Sequence, residues 1–540
     1  MINPIRINPA PLIRLQAHRL AIPLGIAFIG LVLNIIVAGS MSPTTDEFMN
    51  LRYGSEVLRG SPDRWTLFVE SKMPVTAMNA LPHSVGTFLQ MHRRVPGLAA
   101  RLQSIRVDRA ATIAATFCLC LLVYFYAKSL YGHAAALFVQ LLFILSPDIM
   151  AHGTLVTTDL YVALGTVLFL YCLRRYLLSP STRNSLFAAS ALALAQLTKI
   201  SAIYLYVVLA IVLAAVAVDS KYSVRSPYRL TLRRIAILLG LNAACFLVFV
   251  NLAFAFDRTF TPLARYHFRS SAFQSLQRVP LLRQIPLPVP YAYVQGFDMT
   301  SYDNAAKETF YNIVLLGEVR GTGLPRSDGF RSYYLVAYAL KEPIGMQVLL
   351  LLGLVWIVRH RSLTEFLAGE GPLLTTAAVL LVVCSFYNNT QVGIRHILPV
   401  LVIFLIVSGA AFVRFTESTW RRKVLLGGCL VYVAASVGSY FPHMIPYFNE
   451  IVSDRKMAYR FLADSNIDWG QNQFEVAAFM KSHPDVALDP PQPVEGWVLV
   501  RANYVAGVEP KKTEYWLRLR GLRPVAHVGY AHLLFFVPRQ

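Results

Sequence analysis

Hydrophobic positions in this chain fall in long unbroken runs rather than at helical or alternating spacing. Eleven runs are candidates to cross a bilayer: 20–40, 110–127, 131–146, 159–173, 185–197, 202–218, 235–256, 344–358, 373–386, 397–413 and 424–441. A stretch of about 20 apolar residues spans the hydrocarbon core as a helix, so the longer runs predict membrane spans directly. The third, fifth and ninth are short, which leaves the count of about eleven open by one helix pair without changing which loops share a side.

Three long polar segments separate these runs: 41–109, 257–343 and 446–540. In the first, apolar residues at Phe48, Leu51 and Leu58, and again from Leu81 to Leu102, predict helices lying along the membrane surface. The last segment changes character. After a helical stretch at 473–481, residues 496–503 and 525–537 are rich in Val, Tyr and Phe and predict strands of a small α/β domain. The expected organisation is a transmembrane module over 1–445, with outer loops 41–109 and 257–343, followed by a C-terminal domain over 446–540. Neither a fixed-period repeat nor an inverted pair of broken helices is visible, which weakens a transporter reading.

Composition identifies the surrounding medium. Hydrophobic residues make up 56% of the 540 and charged ones 15%, with a mean hydropathy of +0.50, so the excess apolar surface must face lipid. The net charge of +21 is one that nucleic-acid binders also show, but here the basic residues lie between apolar runs. Membrane phosphates are therefore the expected partner, and nucleic acid is not. All six cysteines (Cys118, Cys120, Cys172, Cys245, Cys384, Cys429) sit inside apolar runs and read as packing residues, with no disulfide framework or thiolate metal site.

Charge also orients the chain. Arg6, Arg14 and Arg19 precede a first run too long for a signal-peptide core, which reads as a retained span with a cytoplasmic N-terminus. The short inner loops then hold Lys128; Arg174, Arg175 and Arg183; Lys221, Arg225, Arg229, Arg233 and Arg234; Arg359 and Arg361; and Arg414, Arg421, Arg422 and Lys423, as the positive-inside rule asks. The same threading puts all three long polar segments outside, so the chemistry is expected there.

Two acidic strings fall on that outer boundary. Met41-Ser-Pro-Thr-Thr-Asp46-Glu47-Phe48 places adjacent carboxylates just after the first span, where they are costly unless used or paired. The spacing Thr44-x-x-Glu47 equally fits a helix capping box, with Asp46 at the positive end of the next helix. Ser146-Pro-Asp148 through His152-Gly-Thr-Leu-Val-Thr-Thr-Asp159 supplies two more, and Asp159 alone would serve as a helix cap. Cations occur at the same level: Lys72 in Glu70-Ser-Lys72-Met-Pro74, Lys341 in Lys341-Glu342-Pro343, and Arg395-His396. A lone basic residue at a helix end usually reaches to lipid head groups, and each of these admits that reading.

Carboxylates and cations at one depth suit transfer from a lipid phosphate. A sugar joined to lipid through phosphate has a leaving group that departs as a stable anion, so it needs positive charge more than a general acid. The attacking hydroxyl needs a base. One carboxylate and one or two cations then suffice for a single displacement with inversion.

At these residues the chain resembles the GT-C superfamily of membrane glycosyltransferases, in particular bacterial relatives of the protein O-mannosyltransferases and of the lipid A aminoarabinose transferase. The carriers are Asp46-Glu47, Glu70-Ser-Lys72-Met-Pro74, His152 through Asp159, Leu197-Thr-Lys199, Leu316-Gly-Glu318, Tyr333-Tyr334 with Lys341-Glu342-Pro343, Ile394-Arg395-His396 and Asp464-Ser-Asn-Ile-Asp468-Trp469-Gly470. The resemblance implies an α-helical polytopic fold in a bacterial inner membrane and transfer from a polyprenyl-phosphate sugar to a protein, lipid or glycan acceptor. It implies Asp46 as base, with Glu47 its acidic neighbour and Asp159 a second acidic group. Lys72, Arg395, His396 and Lys341 would lie on the donor-phosphate side. No cofactor is required by the pattern; a divalent ion held by Asp46, Asp159 and Glu70 is an option where carboxylates face phosphate oxygens. The inserted Ser71 and Met73 depart from the Glu-Lys-Pro pattern of relatives. Three other functions remain open at this point: an oligosaccharide ligase with a pyrophosphate-linked donor, a flippase for lipid-linked saccharide, and a non-catalytic scaffold.

Overall fold

The computed structural model describes residues 10–61, 73–222, 231–305, 311–321, 324, 326, 328–416, 420–492, 494–509, 516 and 518–538. Every apolar run is a helix: Ala10–Ser40, Ala110–Tyr131, His133–Ile144, Asp159–Leu178, Thr182–Gln196, Tyr204–Tyr222, Leu232–Ala253, Ile344–His360, Gly371–Phe386, Leu398–Thr416 and Trp420–Gly438. Among the described residues, six helical stretches are long and apolar enough to cross a membrane alone. A seventh span arises if Tyr333–Lys341 and Ile344–His360, bent by 115° at Pro343, count as one. His133–Ile144, Gly371–Phe386 and Val424–Gly438 are shorter apolar helices. The first of these stops where Pro147, which has no N–H to continue the ladder, opens the short helix Pro147–His152. The chain is thus a multi-pass membrane protein.

Burial sorts the helices by place. The most enclosed is Leu398–Thr416, with 78% of its span buried against Ala110–Tyr131, His133–Ile144, Asp159–Leu178, Ile344–His360 and Gly371–Phe386. Only 28% of Leu20–Ser40 and of Leu232–Ala253 is covered, so they present their sides to lipid. Small residues set the closest approach: a Cβ on Gly165 would come 3.0 Å from Ala195, which lets Asp159–Leu178 lie tight against Thr182–Gln196.

The first polar segment folds as expected for surface helices. Thr45–Arg59 exposes Phe48, Met49 and Leu58, and Ala77–Met91 exposes Met78, Leu81, Val85, Phe88 and Met91. The two meet at Gly54, where an added Cβ would sit 2.5 Å from the Thr76 carbonyl oxygen and 2.9 Å from Ala80 Cβ. Gly54→Ala is therefore expected to cost about 1–3 kcal/mol through overpacking. Thermal unfolding of the purified variant checks it, and an unchanged midpoint would refute it.

The C-terminal residues carry a small four-stranded sheet. Ala487–Leu488 pairs in parallel with Gly496–Arg501, which pairs antiparallel with His532–Val537, itself antiparallel to Ala526–Val528. Side chains alternate across this sheet: Leu499 packs with Val476 of the helix Gln473–Ser482, while Val498, Val500, Leu533 and Phe535 join the core of the membrane helices. The expected strand at 496–503 ends at Arg501, because Asn503 turns to serve the loop described below. The expected strand at 525–537 is two, joined through Gly529 and Tyr530, both at positive φ.

Between the last membrane helix and this sheet, residues 442–471 are largely buried but carry little regular structure. Buried backbone groups need partners, and side chains supply them. Lys341 Nζ donates to the carbonyls of Ile445 (2.5 Å) and Asn466 (2.9 Å). Asn449 Nδ2 donates to those of Ala339 (2.6 Å) and Glu342 (2.8 Å). The tail is thereby bound to the bend at Lys341–Pro343.

Candidate active site

The acidic string after the first span splits into two roles. Glu47 is fully buried. Its Oε1 accepts from Arg109 Nε (2.8 Å) and the Val156 N–H (3.0 Å), and its Oε2 from Arg109 Nη2 (2.7 Å) and the Thr44 N–H (2.9 Å). Arg109 is buried as well, and its remaining N–H groups reach the carbonyls of Ala38 (2.7 Å), Met41 (2.9 Å) and Ser42 (3.0 Å). All five guanidinium donors are used. Glu47 is thus a strut between the Asp46 loop and the loop leading to Asp159, and it has no free face for chemistry. Its expected place among the reacting groups is set against this buried pairing with Arg109.

Asp46 is different. Its side chain is 38% exposed, and Oδ2 meets Arg395 Nη1 at 3.0 Å. The same nitrogen lies 3.5 Å from Asp159 Oδ2, and Asp159 Oδ1 accepts from Lys199 Nζ at 2.5 Å. Asp159 opens its membrane helix and is buried, so its charge is held by the two cations rather than by solvent. Asp46 lies in the first turn of Thr45–Arg59, Asp159 opens Asp159–Leu178, Lys199 follows Thr182–Gln196, and Arg395 precedes Leu398–Thr416.

A loop from the C-terminal residues forms the wall behind Arg395. Its guanidinium carbon lies 4.2 Å from the Trp469 ring centre, and His152 meets that ring in a T-shaped contact at 5.9 Å. Burial pushes His152 down to about 3, so it is a neutral ring at working pH. The loop is stitched to the Asp46 segment by Ser42 N–H to the Gln471 carbonyl (2.8 Å), Ser42 Oγ to the Gly470 carbonyl (2.7 Å) and Thr45 N–H to the Trp469 carbonyl (3.1 Å). Gly470 makes this turn at φ +88°, where a side chain would be strained. From the sheet side, Arg501 grips Asp468 through Nε and Nη2, both at 2.9 Å, while Asn503 accepts from the Asp464 N–H (2.7 Å) and donates to the Asp468 carbonyl (2.7 Å).

Asp464 itself sits at φ +59° near the same opening. Burial pushes its carboxyl up to about 7, opposed by Arg395 and the Ser465 N–H and reinforced by Asp46 and Asp468. Between the ordinary carboxylate range and pH 7 the unfolded chain ionises this group and the folded one does not. Its stabilising share is therefore full at low pH and lost as pH rises through 7. Asp464→Asn, which stays neutral, is expected to unfold at a higher temperature than wild type at pH 8 and at the same temperature at pH 4. Equal midpoints at pH 8 would refute this.

Lys341, expected on the donor-phosphate side, is fully buried, with its ammonium on two backbone carbonyls and 4.9 Å from the Phe448 ring centre, and it anchors the tail. His396 Nδ1 is bonded to the Tyr334 hydroxyl at 3.1 Å. Lys72 and Glu70 lie outside the described residues. Among the described residues no three His, Cys, Asp or Glu side chains converge on a divalent-ion site, and Arg395 Nη1 stands within reach of both Asp46 and Asp159; Glu70, the third expected ligand, lies outside them.

Comparison with known proteins agrees with this picture in part of the chain. Residues 99–254 match the family model of dolichyl-phosphate-mannose-protein mannosyltransferases. No curated protein matches by sequence. Among solved structures, the chain is similar to the apo oligosaccharyltransferase of Archaeoglobus fulgidus at 12% identity and TM-score 0.45, covering 76% of this chain and 54% of that one. The same archaeal enzyme, AglB, in complex with an inhibitory peptide and a dolichol-phosphate gives 10% identity, TM-score 0.45 and coverages of 82% and 60%. The chain thus spans between half and two thirds of that protein's length. ArnT from Cupriavidus metallidurans bound to undecaprenyl phosphate gives 14% identity and TM-score 0.29 over 94% of this chain and 96% of that one. The resemblance to GT-C membrane glycosyltransferases read from the sequence is thereby met by a family match over residues 99–254, the stretch that contributes Arg109, His152, Asp159 and Lys199 to the site.

Proposed function

We propose that this chain is an inverting glycosyltransferase that moves a sugar from a polyprenyl-phosphate donor to an acceptor hydroxyl at the extracytoplasmic face of a bacterial inner membrane. The observation that carries the reading is the meeting of Asp46, Asp159, Lys199 and Arg395 at helix ends, with one carboxylate part-exposed and two cations behind it. Asp46 takes the proton of the acceptor hydroxyl as its oxygen attacks the anomeric carbon from the side opposite the phosphate. The bond from that carbon to the phosphate oxygen breaks, its electron pair leaves with the phosphate, and Arg395 and Lys199 meet the charge. Asp159 orients both cations without reacting.

The matched family's description names a phosphate-linked polyprenol donor, which supports the monophosphate reading. The test is transfer by protein reconstituted in liposomes and supplied with a polyprenyl-phosphate sugar and a hydroxyl acceptor. Carrier monophosphate should be released, and NMR of the product should show an inverted anomeric centre. Retained configuration, activity with pyrophosphate-linked donors alone, or translocation of donor without product would each overturn the reading.

A further inference from the structure

Arg395 serves two masters in this geometry. The nitrogen that would meet a donor phosphate is the one that stands 3.0 Å from Asp46 Oδ2. A carboxylate oxygen whose lone pair is held by a guanidinium is not open to take the proton of an acceptor hydroxyl. What lies beneath the guanidinium is not another charge but the face of Trp469, at 4.2 Å. Attraction between a cation and an aromatic face is spread over the ring and has no hydrogen-bond direction, so a guanidinium can turn on that face at little cost.

The ring, by contrast, is fixed. Its residue's N–H donates to Gln471 Oε1 (2.7 Å) and its carbonyl accepts from the Thr45 N–H (3.1 Å), next to the base it helps to control. Behind it, Asn466 Oδ1 accepts from the Ile394 N–H (3.1 Å), which ties the Trp469 loop to the residue before Arg395. Pivot and ring are therefore locked together, and only the guanidinium is left to change partner.

We propose that Trp469 is a positioning residue that keeps Arg395 within reach of both Asp46 and the donor phosphate, so that Arg395 masks the base until donor binds. This rests on the lipid-phosphate reading above. Donor binding draws the guanidinium off Asp46, the base is released only then, and the reaction is ordered with donor first. One consequence runs against the usual effect of mutating a site residue: removing the Asp46 charge should strengthen binding of the carrier phosphate, because the closer of the two ion pairs of Arg395 no longer has to be broken, while the one with Asp159 remains.

The experiment titrates purified full-length protein in detergent with undecaprenyl phosphate, followed by native mass spectrometry, for wild type, Asp46→Asn, Trp469→Leu, Trp469→Phe and the doubles with Asp46→Asn. Asp46→Asn should bind about two- to fivefold more tightly, the scale of releasing one partly exposed ion pair. Trp469→Leu should bind more weakly and abolish that gain, while Trp469→Phe, which keeps a ring, should preserve it. Wild-type binding with no gain in Asp46→Asn overturns the shared-arginine proposal and leaves the donor reading standing. A full gain in the Trp469→Leu background overturns the role of Trp469. Wild-type binding no stronger than that of phosphatidylglycerol removes the donor reading, and this proposal with it.

Discussion

Asp46→Asn is expected to lower sugar transfer by about 10³-fold while leaving a folded, membrane-inserted protein. A positioned general base is worth roughly 10²–10⁴ in rate, so the loss corresponds to about 4 kcal/mol of transition-state stabilisation. Asn keeps the side-chain shape and can still accept from Arg395, but it cannot hold the acceptor proton. The stability change should stay small, because Asp46 is 38% exposed and its pair with Arg395 is screened by solvent. The loss should fall on turnover, with the Michaelis constant for donor unchanged or lower. Steady-state transfer assays on reconstituted protein, alongside thermal unfolding, separate the two effects. Wild-type turnover by this variant would remove Asp46 from the chemistry, and a collapsed melting midpoint would make it a structural residue.

The membrane architecture was legible because it is written locally. Run length and apolar content decide whether a stretch crosses lipid, and each of the eleven runs is a helix. Asp46, Asp159 and Arg395 each lie near the end of a run, and the structure brings the three together. What each neighbouring charge does was not legible. Asp46 and Glu47 are adjacent in sequence, yet one faces solvent and the other disappears under Arg109, 62 residues away. Arg109 looks like any basic residue at a helix end; its other acceptors are main-chain carbonyls, which leave no mark in a sequence. The partners of Lys341, the carbonyls of Ile445 and Asn466, leave no mark in the sequence for the same reason. Lys199 and the Asp464–Gly470 loop stood in the sequence as motifs without a stated task. Their tasks depend on distant pairings: Lys199 with Asp159, and Trp469 with Arg395.

Breaking the Glu47–Arg109 strut is expected to be the largest loss of stability available from one substitution in this region. Glu47→Gln preserves volume but removes one charge of a fully buried pair, leaving an uncompensated guanidinium in a dry site, which costs about 3–5 kcal/mol. Arg109→Met should cost as much, since it also strands the carbonyls of Ala38, Met41 and Ser42. Arg109→Lys should not rescue it, because one ammonium has three donors where the guanidinium uses five in a fixed fork. Replacing both residues at once removes the stranded charge but not the stranded carbonyls, so the double variant should fall between wild type and the singles. The strut joins the first membrane helix, the Asp46 loop and, through Val156, the loop that leads to Asp159. Its loss should therefore lower the unfolding midpoint and activity together, in contrast to Asp46→Asn, which lowers activity alone. A Glu47→Gln protein that melts like wild type yet fails to transfer sugar would return Glu47 to the reacting groups and undo its assignment as a strut.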